Sequence, residues 1–104
     1  MNTLLIDTSS NQVIKVGLRI DGKEDIIEQK IDRQKAQIVL PLIDKLTKKH
    51  KLALSDIKSI EVNTGPGSFT GIRVGIAIAN ALGFTLKVPV NGGEIGAFVT
   101  PVYE

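Results

Sequence analysis

Gly71, Gly75, Ala79 and Gly83 recur every four residues through a stretch, 72–84, whose other members are almost all apolar. The spacing predicts a helix with a ridge of minimal side chains along one side and Val74, Ile78 and Leu82 along another. Glycine in a helix interior costs about 1 kcal/mol relative to alanine, so two interior glycines on one stripe need a packing gain to offset them. Close approach of a second element is that gain. With only Arg73 and Asn80 polar, the helix is apolar nearly all round and calls for burial on more than one side. A small sheet covers one side, and the other falls either to a first helix or to another protein. A chain of 104 residues has a modest core, burying about two-thirds of its unfolded surface, so a protein partner is the expectation. The surface so assigned comprises Gly71, Ile72, Gly75, Ile76, Ala79 and Gly83, with Val39, Leu42 and Ile43 from the first helix.

The rest of the chain supplies the sheet. Residues 3–6 are an apolar run ending at Asp7-Thr8-Ser9-Ser10-Asn11, whose side chains favour a turn. Residues 13–20 alternate as a half-buried strand, Asp21-Gly22 is a two-residue hairpin signal, and 23–30 returns beside it. Ala36, Val39, Leu42, Ile43 and Leu46 then fall at helical spacing. Pro41 inside this helix removes one backbone donor, so a kink or a late start is expected, and Lys48, Lys49, His50 and Lys51 suit the negative end of the helix dipole. Residues 57–62 suggest a fourth strand and 88–90 a fifth. The result is one α/β domain over 1–104, a five-stranded mixed sheet with two main helices.

Composition narrows the chemistry. Thirteen Lys and Arg against eleven Asp and Glu leave a net charge of +2, too small a margin to announce a nucleic-acid surface. Without cysteine there is no disulfide, thiolate nucleophile or cysteine zinc site, and a single histidine, His50, argues on composition against a metal cage. No secretory leader opens the sequence. The longest apolar stretch, 74–86, contains Asn80 and is short for a bilayer, so the cytoplasm is expected.

The segment Asn63-Thr64-Gly65-Pro66-Gly67-Ser68-Phe69-Thr70-Gly71 between a strand and a helix invites a phosphate reading. In that reading Asp7, Thr8, Gly65, Gly67 and Ser68 touch a nucleotide. No lysine follows as a P-loop requires, and the dinucleotide glycine pattern is absent. The structural reading is favoured: Gly65 and Gly67 supply unusual backbone angles, Pro66 stiffens the turn, and Ser68 or Thr70 caps the helix.

Leu5-Ile6-Asp7-Thr8-Ser9, then Leu40-Pro41-Leu42-Ile43, then above all Gly65-Pro66-Gly67-Ser68-Phe69-Thr70-Gly71-Ile72-Arg73-Val74-Gly75 resemble the TsaB family, formerly YeaZ, over the N-terminal half of its usual member. The resemblance implies an actin-like, Hsp70-like ATPase fold of the ribonuclease H type that has lost its catalytic and most nucleotide-binding features, with no cofactor. It also implies a scaffold role in making threonylcarbamoyladenosine at position 37 of tRNA. In that role a TsaD-like catalytic subunit is the partner, TsaE joins a larger complex and tRNA is engaged indirectly. Apart from the resemblance, an uncovered ridge helix would make the chain alone a homodimer, and the short apolar stretch places it away from any membrane. Two departures stand out. Lys35-Ala36 occupies the place where the family carries His followed by Ser or Thr, and the family's C-terminal lobe is absent from these 104 residues. An actin-like protein with its own phosphate site is the alternative.

Overall fold

The computed structural model describes residues 1–102. Three strands, β1 (Asn2–Asp7), β2 (Val13–Ile20) and β3 (Lys23–Lys30), form an antiparallel meander. Asp21 and Gly22 turn the second corner with φ of 50° and 82°, the paired positive angles that match a two-residue hairpin to the strand twist. Helix α1 (Lys35–Lys49) follows, then a short 3-10 turn, Leu54–Asp56, strand β4 (Ser59–Val62) and helix α2 (Phe69–Leu86). The sheet order is β3-β2-β1-β4, with β4 parallel to β1.

The sheet has four strands, which corrects the expected five. Residues 88–90 reach the β4 edge and make a single parallel bridge, Ile60 to Val90. Proline has no N–H to extend a ladder, so Pro89 contributes only its carbonyl, which accepts from the Ile60 amide at 3.0 Å. The Asn91 amide still donates to the Ile60 carbonyl at 2.8 Å, but at Val62 the Asn91 side chain stands in for backbone: its oxygen accepts from the Val62 amide at 2.8 Å and its nitrogen donates to the Val62 carbonyl at 3.0 Å.

Alternation sorts the strand residues. Leu4, Ile6, Ile14, Val16, Leu18, Ile60 and Val62 are buried and share the face that meets the helices. There they join Ile38, Val39, Leu42, Ile43 and Leu46 of α1 and Ile72, Ile76 and Ala79 of α2 in one aliphatic core. At about 0.8 kcal/mol per buried methylene, this face is the main source of stability. Helix α1 begins at Lys35 and runs through Pro41, so no late start occurs. Gln37 and Pro41 both lie on the exposed side, where water can satisfy the carbonyl that proline leaves without a partner. Helix α2 is longer than expected, 18 residues, and is long and apolar enough to cross a bilayer by length and composition, which corrects the reading of 74–86 as too short. Its ridge is packed into the sheet, as that of a core helix is.

Candidate functional site

The carboxyl end of β1 and the glycine loop meet around the turn after Asp7. The Asp7 carboxylate accepts from the Ser9 amide at 2.9 Å and the Ser9 hydroxyl at 2.6 Å, with Asn63 Nδ2 at 3.4 Å. Burial pushes this carboxyl up. The bonds from Ser9 and Asn63, with Lys15 nearby, more than offset that and leave it below its ordinary value.

Thr8 is fully buried. Its hydroxyl donates to the Gly71 carbonyl at 2.6 Å and accepts from the Gly75 amide at 3.0 Å. Those two groups, four residues apart, are the pair a helix joins directly, so the hydroxyl ties the β1 turn into the first turns of α2. Lys35 holds the same turn from α1, its Nζ donating to the Thr8 carbonyl at 3.0 Å and the Ser10 carbonyl at 2.7 Å. Burial lowers the Lys35 pKa and Asp7 partly restores it. At the place where the sequence departs from the expected pattern, the polar contact is thus made by a lysine amine. Gly71 makes room for it, since a Cβ there would strike the Lys35 amine.

The loop glycines are explained by close approach. Gly65 has φ +116°, and a Cβ on it would strike the Val102 carbonyl. A Cβ on Gly67 would lie 2.8 Å from Ser9 Cβ. Asn63 Oδ1 accepts from the Gly65 amide at 2.8 Å, the Ser9 carbonyl from the Ser68 amide at 2.8 Å, and the Ser68 hydroxyl from the Gly71 amide at 3.4 Å. Ser68, not Thr70, is therefore the helix cap. Asp7, Thr8, Gly65, Gly67 and Ser68 do come together, but the amides named here, which a phosphate cradle would use, already donate to the chain's own oxygens. Among the described residues no three His, Asp or Glu side chains gather as metal ligands would.

The ridge faces inward, which corrects its assignment to a partner. A Cβ on Gly75 would lie 2.5 Å from Thr8 Oγ1 and 3.4 Å from Ile6 Cγ2, and one on Gly83 would lie 2.5 Å from Val90 Cγ2. Ile72, Ile76 and Ala79 are buried beside them, and Val39, Leu42 and Ile43 are buried on α1. The second element that the glycines admit is this protein's own sheet and its flanking turns. Buried as they are, these residues offer a partner little surface, with Gly71 and Ile43 bordering clefts.

What remains open on the helices is a different strip. Leu40 is 53% exposed, Ala77 and Ala81 are exposed, and Val74 and Ile78 are half-buried. Leu40 also edges a small cleft of 90 Å³ between the helices, lined by Ile43, Asp44, Thr47, Leu54 and Leu82. The far side of α2 is occupied by the tail: Asn80 exchanges two hydrogen bonds with the Val99 backbone, each of 3.0 Å, and Phe84 meets Phe98 edge-on at 6.4 Å. Leu40 opens the Leu40-Pro41-Leu42-Ile43 motif, yet helical periodicity left it and the two alanines outside the expected surface, because the same spacing also describes the inward ridge.

Comparison with known proteins accords with this architecture. The family model described as TsaD, tRNA N6-adenosine threonylcarbamoyltransferase, matches residues 10–92. The tRNA threonylcarbamoyladenosine biosynthesis protein TsaB of Haemophilus influenzae is 35% identical over 88 residues, 85% of this chain and 37% of that protein. The TsaB of Escherichia coli is 34% identical over 92 residues, 88% of this chain and 39% of its own length. The solved structure of YeaZ from Pseudomonas aeruginosa superposes with a TM-score of 0.81 at 33% identity, covering 89% of this chain and 43% of YeaZ. The chain thus spans about two-fifths of these relatives' length. With the motif, the fold and these matches in agreement, the chain belongs to the TsaB (YeaZ) family within the TsaD-type proteins.

Proposed function

We propose that this chain is a partner subunit, without chemistry of its own, that supports a TsaD-like enzyme in threonylcarbamoyladenosine modification of tRNA. The observation that carries this reading is the open strip of exposed Leu40, Ala77 and Ala81 with half-buried Val74 and Ile78 across α1 and α2. Small side chains on an exposed helix face let another helix approach closely, and apolar neighbours make the approach favourable. The family model that this chain matches bears the name of the enzyme itself. Two related folds can therefore pair helix strip to helix strip in a nearly two-fold arrangement. The same strip serves a homodimer when the chain is alone, and TsaE joins the pair in a larger complex in the cytoplasm.

The test is a titration of the TsaD-like enzyme from the same source. Ala77→Arg places a long cation on the strip at a solvent-facing helix position, so the melting temperature stays put. Affinity should fall at least about tenfold, on the order of 1.4 kcal/mol. Unchanged affinity with intact fold refutes the strip. The alternative, a nucleotide site at Asp7 and the glycine loop, is favoured only if ATP binds the purified chain in calorimetry and Asp7→Ala abolishes it.

A further inference from the structure

Strand β3 has a neighbour on one side only, since the sheet order is β3-β2-β1-β4. In an antiparallel pair, alternate residues turn their backbone groups towards the neighbouring strand and the residues between them turn theirs away. The Ile31 amide, continuing β3, donates to the Gln12 carbonyl at 2.9 Å, which assigns the odd positions to the β2 side. The amides and carbonyls of Glu24, Ile26, Glu28 and Lys30 therefore point to the open edge, where nothing among the described residues pairs with them. Proline and bulges, which commonly blunt such an edge, are absent from its 8 residues. What guards it is charge, so a strand added here has to match Glu24, Glu28 and Lys30.

A second copy of the same strand supplies the match. Donors of one copy face acceptors of the other only when even positions stand opposite even positions. With the two strands antiparallel about Ile27, Glu24 stands opposite the other copy's Lys30 and Ile26 opposite its Glu28, each pairing occurring twice by symmetry. Ile27, half-buried on the helix side, meets its own counterpart at the axis. Sliding two residues one way sets Glu24 against Glu28, and sliding two the other way sets Glu28 against itself. Like charges directly opposite are destabilising, so charge selects one register.

The side chains are free to pair in this way. Glu24, Glu28 and Lys30 are exposed, and Arg19 takes only one oxygen of Glu24, Oε2, which leaves the other for an incoming amine. Helix α1 packs over β2, one strand in from the edge. At the usual strand spacing the two α1 helices then lie about 14 Å apart across the axis, beyond the 8–10 Å of packed helices, and do not collide.

We propose that the β3 edge docks a second copy of this chain, paired antiparallel about Ile27 with Glu24 against Lys30, so that two sheets become one. The helices of both copies stand on the same side of the joined sheet, and the strip of Leu40, Ala77 and Ala81 stays open on each. The contact therefore does not rest on the TsaD-like partner.

The test uses the Ala77→Arg chain, in which association through the strip is blocked. The chain has no cysteine, so single thiols report the register. Opposed residues of an antiparallel pair that share no hydrogen bond have Cα atoms about 4.5 Å apart, within reach of a disulfide. Under mild oxidation by glutathione disulfide, Ile27→Cys should yield a linked dimer. Ile26→Cys, although more exposed, lies opposite Glu28 and should link at least about tenfold less. In sedimentation, Glu24→Lys should raise the dimer dissociation constant about tenfold by setting like charges opposite at two places, and Glu24→Lys combined with Lys30→Glu should restore it. A single-chain mass at high micromolar concentration overturns the proposal. So does Ile26→Cys linking as readily as Ile27→Cys, or a double reversal that stays as weak as the single one.

Discussion

The two faces of the sheet are built from the same strands and differ in how much they tolerate. On the helix side, Leu4, Ile6, Val16, Leu18 and Ile60 meet two helices with almost no exposed surface, and the fit is close enough that Gly75 and Gly83 have no room for a methyl group. On the other side, Ile26 stands half exposed above Gly17, ringed by ion pairs that water reaches. Close packing makes each atom on the first face matter, whereas exposed ion pairs contribute little, typically 0–1 kcal/mol. The lesson is that a stripe of small residues marks where backbones approach, and the neighbour that approaches can be the protein itself.

The largest expected effect breaks that contrast at its tightest point. Gly75→Leu drives a side chain into Thr8 and Ile6. Overpacking of about 1–3 kcal/mol and the loss of the Thr8 bonds together outweigh the gain of nearly 1 kcal/mol in helix propensity. Thermal melts should show a drop on the order of 10 °C. An unchanged or raised melting temperature would place the ridge on the surface after all.

Thr8→Val keeps the shape and removes the hydroxyl. It leaves the bonded positions on Gly71 and Gly75 to each other or to nothing, and a loss of about 1–3 kcal/mol in denaturant unfolding is expected. Lys35→Met, which withdraws the donor to Thr8 and Ser10, should act in the same direction with a smaller effect.

Acid sharpens the comparison between faces. On the helix side, hydrogen bonds from Lys49 and then His50 hold the Asp25 carboxyl below its usual value. On the open side, the bond from Arg19 does the same for Glu61. A carboxylate whose folded pKa is lowered contributes stability above its unfolded pKa and loses it as pH falls through the folded one. Stability should therefore decline below about pH 4–5, the range of unperturbed carboxylates. Asp25→Asn and Glu61→Gln should each flatten the profile of melting temperature against pH, and a mutant profile parallel to the parent's would remove that group from the account. The smallest effect is expected at Ile26→Asp, an exposed change on the open face that should stay within about 0.5 kcal/mol. A loss several times larger would mean that this face is already covered in solution.

Much of the fold was legible from the residues because it is governed by short-range geometry. The Asp21-Gly22 hairpin, the alternation of β2, the helical spacing of α1 and α2 and the Ser68 cap all depend on neighbours one to four positions apart. The eleven-residue run from Gly65 to Gly75 also carried the family resemblance. Residues 88–90 were read as a strand because their apolar pattern fits one, but pairing depends on donors, and Pro89 has none to give.

The direction in which the ridge faces was left to the tertiary structure. A four-residue repeat says which side chains share one side of a helix and is silent about what lies against that side. Here the deciding contact joins Gly75 to Thr8 across 67 positions of sequence, and Lys35 reaches the same turn across 27. No local pattern contains such pairs, because they exist only once the sheet, the turn and both helices have come together. Sequence alone determined the elements, the glycine loop and the family; which surfaces were left for other molecules was decided by packing, since a residue is available to a partner only after the chain has finished covering itself.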